Sequence, residues 1–252
     1  MMIARKNRYY CPHCPEDLHR KAAALPWRFR CPVHGVEFRD ATGETLSDRF
    51  GADCFKKLEG HAEAGAAHLD AWARSAGQGD LEAPEVLQLL TVRHRRASPP
   101  NVCEQPRMSL KDRRDYHDFL TTPIIRQALT VVVPEYDQVA PVLAKPVRPG
   151  LHALAQGSLL QCFALAVGAG RIIEDPVKWA VSVMLMSDAE GQGRVRQAID
   201  AWPLSLRRSI SARFWRAERD ERARQSAEKA ARQRQSHKLR LIQSHKYRYR
   251  IS

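Results

Sequence analysis

The chain has 252 residues, 44% of them apolar, which is enough to bury a sizeable core in one large domain or two small ones. No apolar run approaches the ~20 residues of a membrane-spanning helix; the best, Leu159 to Val167, is far too short. The formal charge of +13 favours a polyanionic partner, most simply nucleic acid.

Residues 1–40 are organised around Cys11-Pro12-His13-Cys14 and Cys31-Pro32-Val33-His34, a C-x2-C-x16-C-x2-H pattern. This is the spacing of a structural zinc site, in which each pair forms a tight turn that aims two ligands at one point. Three thiolates and one imidazole complete a tetrahedron and leave no place for a catalytic water, so the expected cofactor is structural Zn2+. His13 and His19 are rival candidates to His34. Tyr9, Tyr10, Trp27 and Phe29 supply the expected core, and Val33, Val36 and Phe38 a short strand. Arg5, Lys6, Arg8, Arg28 and Arg30 surround the element with positive charge. So small a piece draws much of its folding energy from its ion. Cys54, Cys103 and Cys162 read as buried apolar residues. The basic start, Met1 to Tyr10, is too poor in apolar residues for a secretion signal, and a reducing, cytoplasmic compartment is expected.

Residues 41–98 form a helical segment. A helix over 45–75, capped by Ser47, places Phe50, Cys54, Leu58, Leu69 and Trp72 at helical spacing and closes at Gly77 and Gly79. A shorter helix from Pro84 to Arg95 ends in Arg93-His94-Arg95-Arg96. That cluster reads as a solvated basic helix end, with phosphate binding as the alternative. Pro99, Pro100 and Pro106 mark a linker.

Residues 107–203 form a helical domain. Ser109-Leu110-Lys111-Asp112 is a capping box that opens a helix to about Leu120. Pro123 starts the next, and Pro134 stops whatever Val131-Val132-Val133 forms; 134–149 reads as irregular. From Leu151 a buried helix runs to Gly168 or Gly170. Asp175-Pro176 caps and opens another, carrying Val177, Trp179, Val181, Met184 and Leu185. A last helix, Arg194 to Trp202, stops at Pro203.

Residues 204–252 are a basic helix or tail. From Ser205 onward, 15 Lys or Arg stand against 4 Asp or Glu, so this piece holds nearly all of the +13. Ile210 and Phe214 begin an amphipathic helix, but beyond Glu218 no apolar stripe remains. Such a helix projects, or orders only on a partner. The helices flanking Trp202-Pro203 read as a helix-turn-helix-like pair, with Arg207, Arg208 and Arg213 aimed at nucleic acid. The end, His245-Lys246-Tyr247-Arg248-Tyr249-Arg250, interleaves aromatics with charge, and Arg248 and Arg250 join the candidate contacts.

The expected fold is therefore mainly α: a small N-terminal zinc-knuckle element, a helical body and a long basic C-terminal helix or tail. Arg8-Tyr9-Tyr10-Cys11-Pro12-His13-Cys14-Pro15-Glu16-Asp17 and Trp27-Arg28-Phe29-Arg30-Cys31-Pro32-Val33-His34-Gly35-Val36 resemble the zinc element of the TniQ/TnsD family of transposon target-selection proteins. The family pattern is roughly YCPxC, an acidic stretch, then W and CPxHG; the match covers Tyr9 to Phe38. The resemblance implies Cys11, Cys14, Cys31 and His34 as metal ligands. It implies a non-catalytic, DNA-binding adaptor that recruits a transposition AAA+ regulator; from the lack of a long apolar run, no membrane partner is expected. Many members carry a second Cys-x-x-Cys pair after the CPxH turn, where this chain has only Cys54. The alternative is a zinc-containing RNA-binding component of a ribonucleoprotein. An enzyme is not expected: the nearest acidic cluster, Asp112, Asp115 and Asp118 with His117, alternates with Arg and Lys as a solvated helix face does.

Overall fold

The structure is a computed structural model describing residues 9–15, 25–40, 42–74, 81–95, 127–139 and 158–248, with the side chains of 234 and 237–248 excepted. The expected linker prolines, the helix opened by Ser109, and Arg5, Lys6, Arg8, His19, Cys103 and Arg250 lie outside these residues. Helix accounts for 72% of what is described, so the protein is mainly α. The chain divides into two units, Met1–Ile210 and Ser211–Ser252.

In the first unit, β1 (Tyr9–Tyr10) pairs antiparallel with β2 (Arg39–Asp40), Tyr9 opposite Asp40. Asp40 then accepts from Thr42 N at 2.8 Å and Glu44 N at 3.1 Å, a side-chain turn that leads into α1 (Leu46–Phe50). Thr45, not Ser47, caps α1, in a reciprocal box with Asp48. Gly51, at φ 78°, breaks the expected single helix, and α2 (Ala52–Ala73) follows. Its buried residues, Phe55, Leu58, Ala62, Gly65 and Leu69, recur at steps of three and four, one face of a helix.

α3 (Ala83–Thr91) opens at Pro84, with the Glu85 carboxylate accepting from Glu82 N at 2.9 Å. α4 (Ala128–Val132) and α5 (Pro134–Val139) are short. Pro134 does not only stop what precedes it. It sits at the first position of α5, where its missing N–H costs nothing, so 134–139 is helical rather than irregular. α6 (Leu159–Glu174) is the central helix, buried continuously from Leu159 to Gly170. Ser158 caps it, and it runs through both glycines expected to end it. Arg171 fixes its far end to the α4–α5 corner, donating to the Val132 carbonyl at 2.7 Å and pairing with Glu135 at 2.8 Å. Asp175 caps α7 (Pro176–Met186), as expected, accepting from Lys178 N at 2.9 Å. Asp188 caps α8 (Ala189–Ala198), which starts five residues before the expected Arg194. Trp202 closes the following turn, its backbone N–H donating to the Ile199 carbonyl at 3.0 Å, and is buried. α9 (Leu204–Arg248) is a single long helix that begins in this unit.

The cluster Arg93-His94-Arg95 is not a helix end in solvent. α3 stops at Thr91, and Arg93 pairs with Gln127 as an antiparallel bridge. The Arg93 carbonyl accepts from Arg194 Nε at 2.9 Å, the His94 carbonyl from Asp188 N at 3.2 Å, and Arg95 Nε donates to the Met186 carbonyl at 2.8 Å. Three helices are thus tied through one extended tripeptide. His94 is only 6% exposed, and its Nδ1 has no hydrogen-bond partner among the described residues. Burial holds its imidazole down to about 4, helped by the Arg95 and Arg194 charges and opposed by Asp188. The folded state therefore keeps His94 neutral, and the stability this confers is present above about 6.5 and lost as pH falls toward 4. Between pH 7.5 and 5 the expected loss is about 2 kcal/mol. Urea unfolding of His94→Gln alongside the parent measures it: the variant's stability falls less steeply with acid, and parallel pH profiles would exclude His94 as the source.

Candidate metal centre

Two turns bring four side chains together. In the first, Cys14 N–H donates to the Cys11 carbonyl at 3.3 Å. The second caps a narrow hairpin in which Phe38 N–H donates to the Phe29 carbonyl at 3.0 Å and Cys31 N–H to the Val36 carbonyl at 2.9 Å. Gly35 N–H returns to the Cys31 carbonyl at 2.8 Å, and Gly35 takes φ 68°, a left-handed position that suits glycine. Val33 sits exposed in this turn, not in a strand, while Phe38 is fully buried.

Cys11 Sγ, Cys14 Sγ, Cys31 Sγ and a ring nitrogen of His34 all lie within 4.8 Å of one another. His34 Nδ1 is 3.5 Å from Cys11 Sγ, 3.3 Å from Cys14 Sγ and 3.6 Å from Cys31 Sγ, and Cys14 Sγ is 3.6 Å from Cys31 Sγ. A tetrahedral ion bound at about 2.3 Å to sulfur and 2.0 Å to nitrogen has S···N edges of about 3.5 Å and S···S edges of about 3.8 Å. The four side chains thus fit a metal ion by donor type and by spacing. His13 does not join them: its exposed ring sits edge-on to that of His34, centroids 5.8 Å apart.

The thiols are poised differently. Burial raises Cys31, but hydrogen bonds from the backbone N–H groups of His34 and Val33, with those from the His34 and Cys14 side chains, together outweigh it and bring the thiol down to about 7. Burial, with the sulfurs of Cys31 and Cys11 close by, pushes Cys14 up to about 12. A divalent cation resolves this crowding by stabilising all three as thiolates. No disulfide joins any two of the five described cysteines.

The element does not stand apart from the helices. Phe29, Phe50 and Phe55 surround Phe163 of α6, with ring centroids 5.1, 5.3 and 5.1 Å away. Tyr9 packs on Phe38 at 5.4 Å, and its hydroxyl lies 3.5 Å from Cys162 Sγ. Tyr10, expected in the core, is 39% exposed, because alternate strand residues face opposite sides.

α2 holds the element from the other side. Trp27 Nε1 donates to Asp70 Oδ1 at 2.8 Å, and Arg28 pairs with Asp70 at 3.4 Å. Arg30 binds Glu63 at 2.6 Å and also Glu59. Arg28 and Arg30 are therefore engaged with the protein's own carboxylates. Nothing in the sequence marks Asp70 as a partner for this element; the signal for Glu59 and Glu63 is their spacing of one helical turn.

Of the other expected contacts, Arg207 bonds Asp200 at 2.8 Å, while Arg208 and Arg213 are exposed. Arg248 is the last residue of α9. In the second unit the helix is exposed on every side from Arg222 to Gln233. No helix among the described residues is long and apolar enough to cross a membrane. The chain matches no family model, no curated protein and no solved structure.

Proposed function

We propose that this protein is a zinc-stabilised, non-catalytic nucleic-acid-binding adaptor of the TniQ/TnsD kind, with DNA as its partner and a transposition AAA+ regulator as the protein it recruits. Zinc is the metal because a Cys3His set at tetrahedral spacing suits its soft, borderline character and absence of geometric preference. Four protein ligands close the coordination shell, so the ion organises the fold and supplies no bound water for hydrolysis. The TniQ/TnsD reading rests on the YCPxC and CPxHG turns that form this centre. A thiolate site of this kind belongs in a reducing compartment such as the cytoplasm.

The observation that carries nucleic-acid binding is the charge and exposure of α9. Arg213, Arg216, Arg219, Arg222, Arg224, Lys229 and Arg232 all lie exposed on it. The pairs Arg222–Glu218 and Arg224–Glu221 neutralise only part of that charge. A solvated cationic rod of this kind has no core to serve and is matched by a polyphosphate.

The test is a DNA-binding titration with the full chain and with a chain ending at residue 210. Six phosphate contacts would weaken binding by about 10³ between 50 and 200 mM salt. The shortened chain is expected to lose most of both affinity and salt dependence. Equal binding by the two chains would remove α9 from the function.

A further inference from the structure

Three tryptophans of this chain show how differently the fold treats the residue. Trp27 and Trp202 are 2% and 1% exposed, whereas Trp215 is 58% exposed. Leaving an indole in water forfeits the burial that makes tryptophan useful in a fold. Trp215 follows the buried Phe214 and so points about 100° round α9 from it. The Phe214 ring meets it at 5.5 Å and 68°, a perpendicular contact that uses at most one face of the indole.

The neighbours of Trp215 are cationic. Ala212, Trp215, Arg216, Glu218, Arg219 and Arg222 line one shallow hollow on the helix surface. Their spacing of three and four residues puts them on one face. Glu218 is tied to Arg222 at 3.1 Å, and Arg216 and Arg219 are both exposed. Ala212 is too small to cover the ring. The face therefore offers an open aromatic plane beside a net positive charge.

From this arrangement we infer that Trp215 is a stacking platform for an unpaired base, with Arg216 and Arg219 holding the adjoining phosphates. The inference rests on the nucleic-acid reading above and narrows it to single-stranded or locally opened strands. Charge alone does not distinguish a duplex from a single strand, but a duplex hides its base faces and cannot use an exposed indole. An unpaired base presents a π-face of matching size, and such stacking tolerates any sequence. Arginines one helical turn apart on the same face suit the phosphates of a strand running along the helix.

The experiment uses the full chain with bound zinc. Affinity is measured for a twenty-nucleotide oligothymidylate, a duplex of equal length and poly-L-glutamate, at two salt concentrations, for the parent, Trp215→Ala and Trp215→Phe. Trp215→Ala is expected to weaken single-strand binding at least about fivefold, with the salt slope unchanged, while duplex binding moves by less than about twofold. Trp215→Phe should recover most of the loss. Single-strand binding unaltered by Trp215→Ala overturns the stacking platform and leaves nucleic-acid binding intact. An equal loss toward poly-L-glutamate makes the face a site for acidic protein segments and overturns it too. A parent that binds neither oligonucleotide removes the nucleic-acid reading itself.

Discussion

Replacing Cys31 with Ser is expected to abolish stoichiometric metal binding and to release the segment around the two turns from the helical body. The stability of that segment cannot come from its side chains alone. Tyr9, Trp27, Phe29 and Phe38 are at most 3% exposed, and burying each returns ~1.5–3 kcal/mol. Ordering the backbone costs ~1–2 kcal/mol for every residue fixed, and the described segment has more than twenty of them. A structural zinc ion held by the four side chains would supply on the order of 10 kcal/mol toward that gap.

Loss of the ion should therefore expose amides 29–38 to hydrogen exchange while α2 and α6 keep their mutual packing. The expected destabilisation is ~5 kcal/mol or more, comparable with the whole stability of an ordinary domain. His34→Ala should behave like Cys31→Ser, and His13→Ala and Cys54→Ser like the parent. Metal analysis and exchange on these four variants make the check. A Cys31→Ser protein that keeps its amide protection would show that the aromatic contacts with Phe163 suffice and that no ion is required.

The parts of this structure legible in the sequence are those fixed by neighbours a few residues apart. Cys11, Cys14, Cys31 and His34 could be assigned because a knuckle is a local turn, and the Asp175-Pro176 cap because both of its interactions fall within one helical turn. Where the partner is distant, the same residues mislead. Arg28 and Arg30 read as positive charge around the element, with no sign that α2 places Asp70, Glu59 and Glu63 against them. Arg93-His94-Arg95 looks like a helix end until its backbone is required by Gln127, Asp188 and Arg194. Phe29, Phe50 and Phe55 carry no sign in the sequence that they meet on Phe163, so the core that the N-terminal element shares with the helices is visible only in the structure.

Gly168 and Gly170 mislead for a different reason, and they lead to the second large effect. A glycine near the end of an apolar run signals a helix stop, but it also serves where two backbones touch. A Cβ on Gly170 would lie 2.0 Å from the His61 carbonyl oxygen, and one on Gly65 would lie 1.9 Å from that of Ala166. Both obstacles are main chain, so no rotamer change relieves them. Gly170→Ala must push α2 and α6 apart, and with them every contact around Phe163. The expected cost is ~3–5 kcal/mol, beyond ordinary overpacking because the central helix itself is displaced. Gly168→Ala should cost ~1 kcal/mol or less, because its nearest neighbours at 2.8 and 3.3 Å are the movable side-chain ends of Leu90 and Leu129. Gly60→Ala meets nothing within 4 Å and should instead stabilise α2 by ~0.5–1 kcal/mol. Thermal or urea unfolding of the three variants reads the order directly. If Gly170→Ala proves as mild as Gly168→Ala, the two helices do not cross at this distance, and the close approach that seats Phe163 beneath the metal element is wrong.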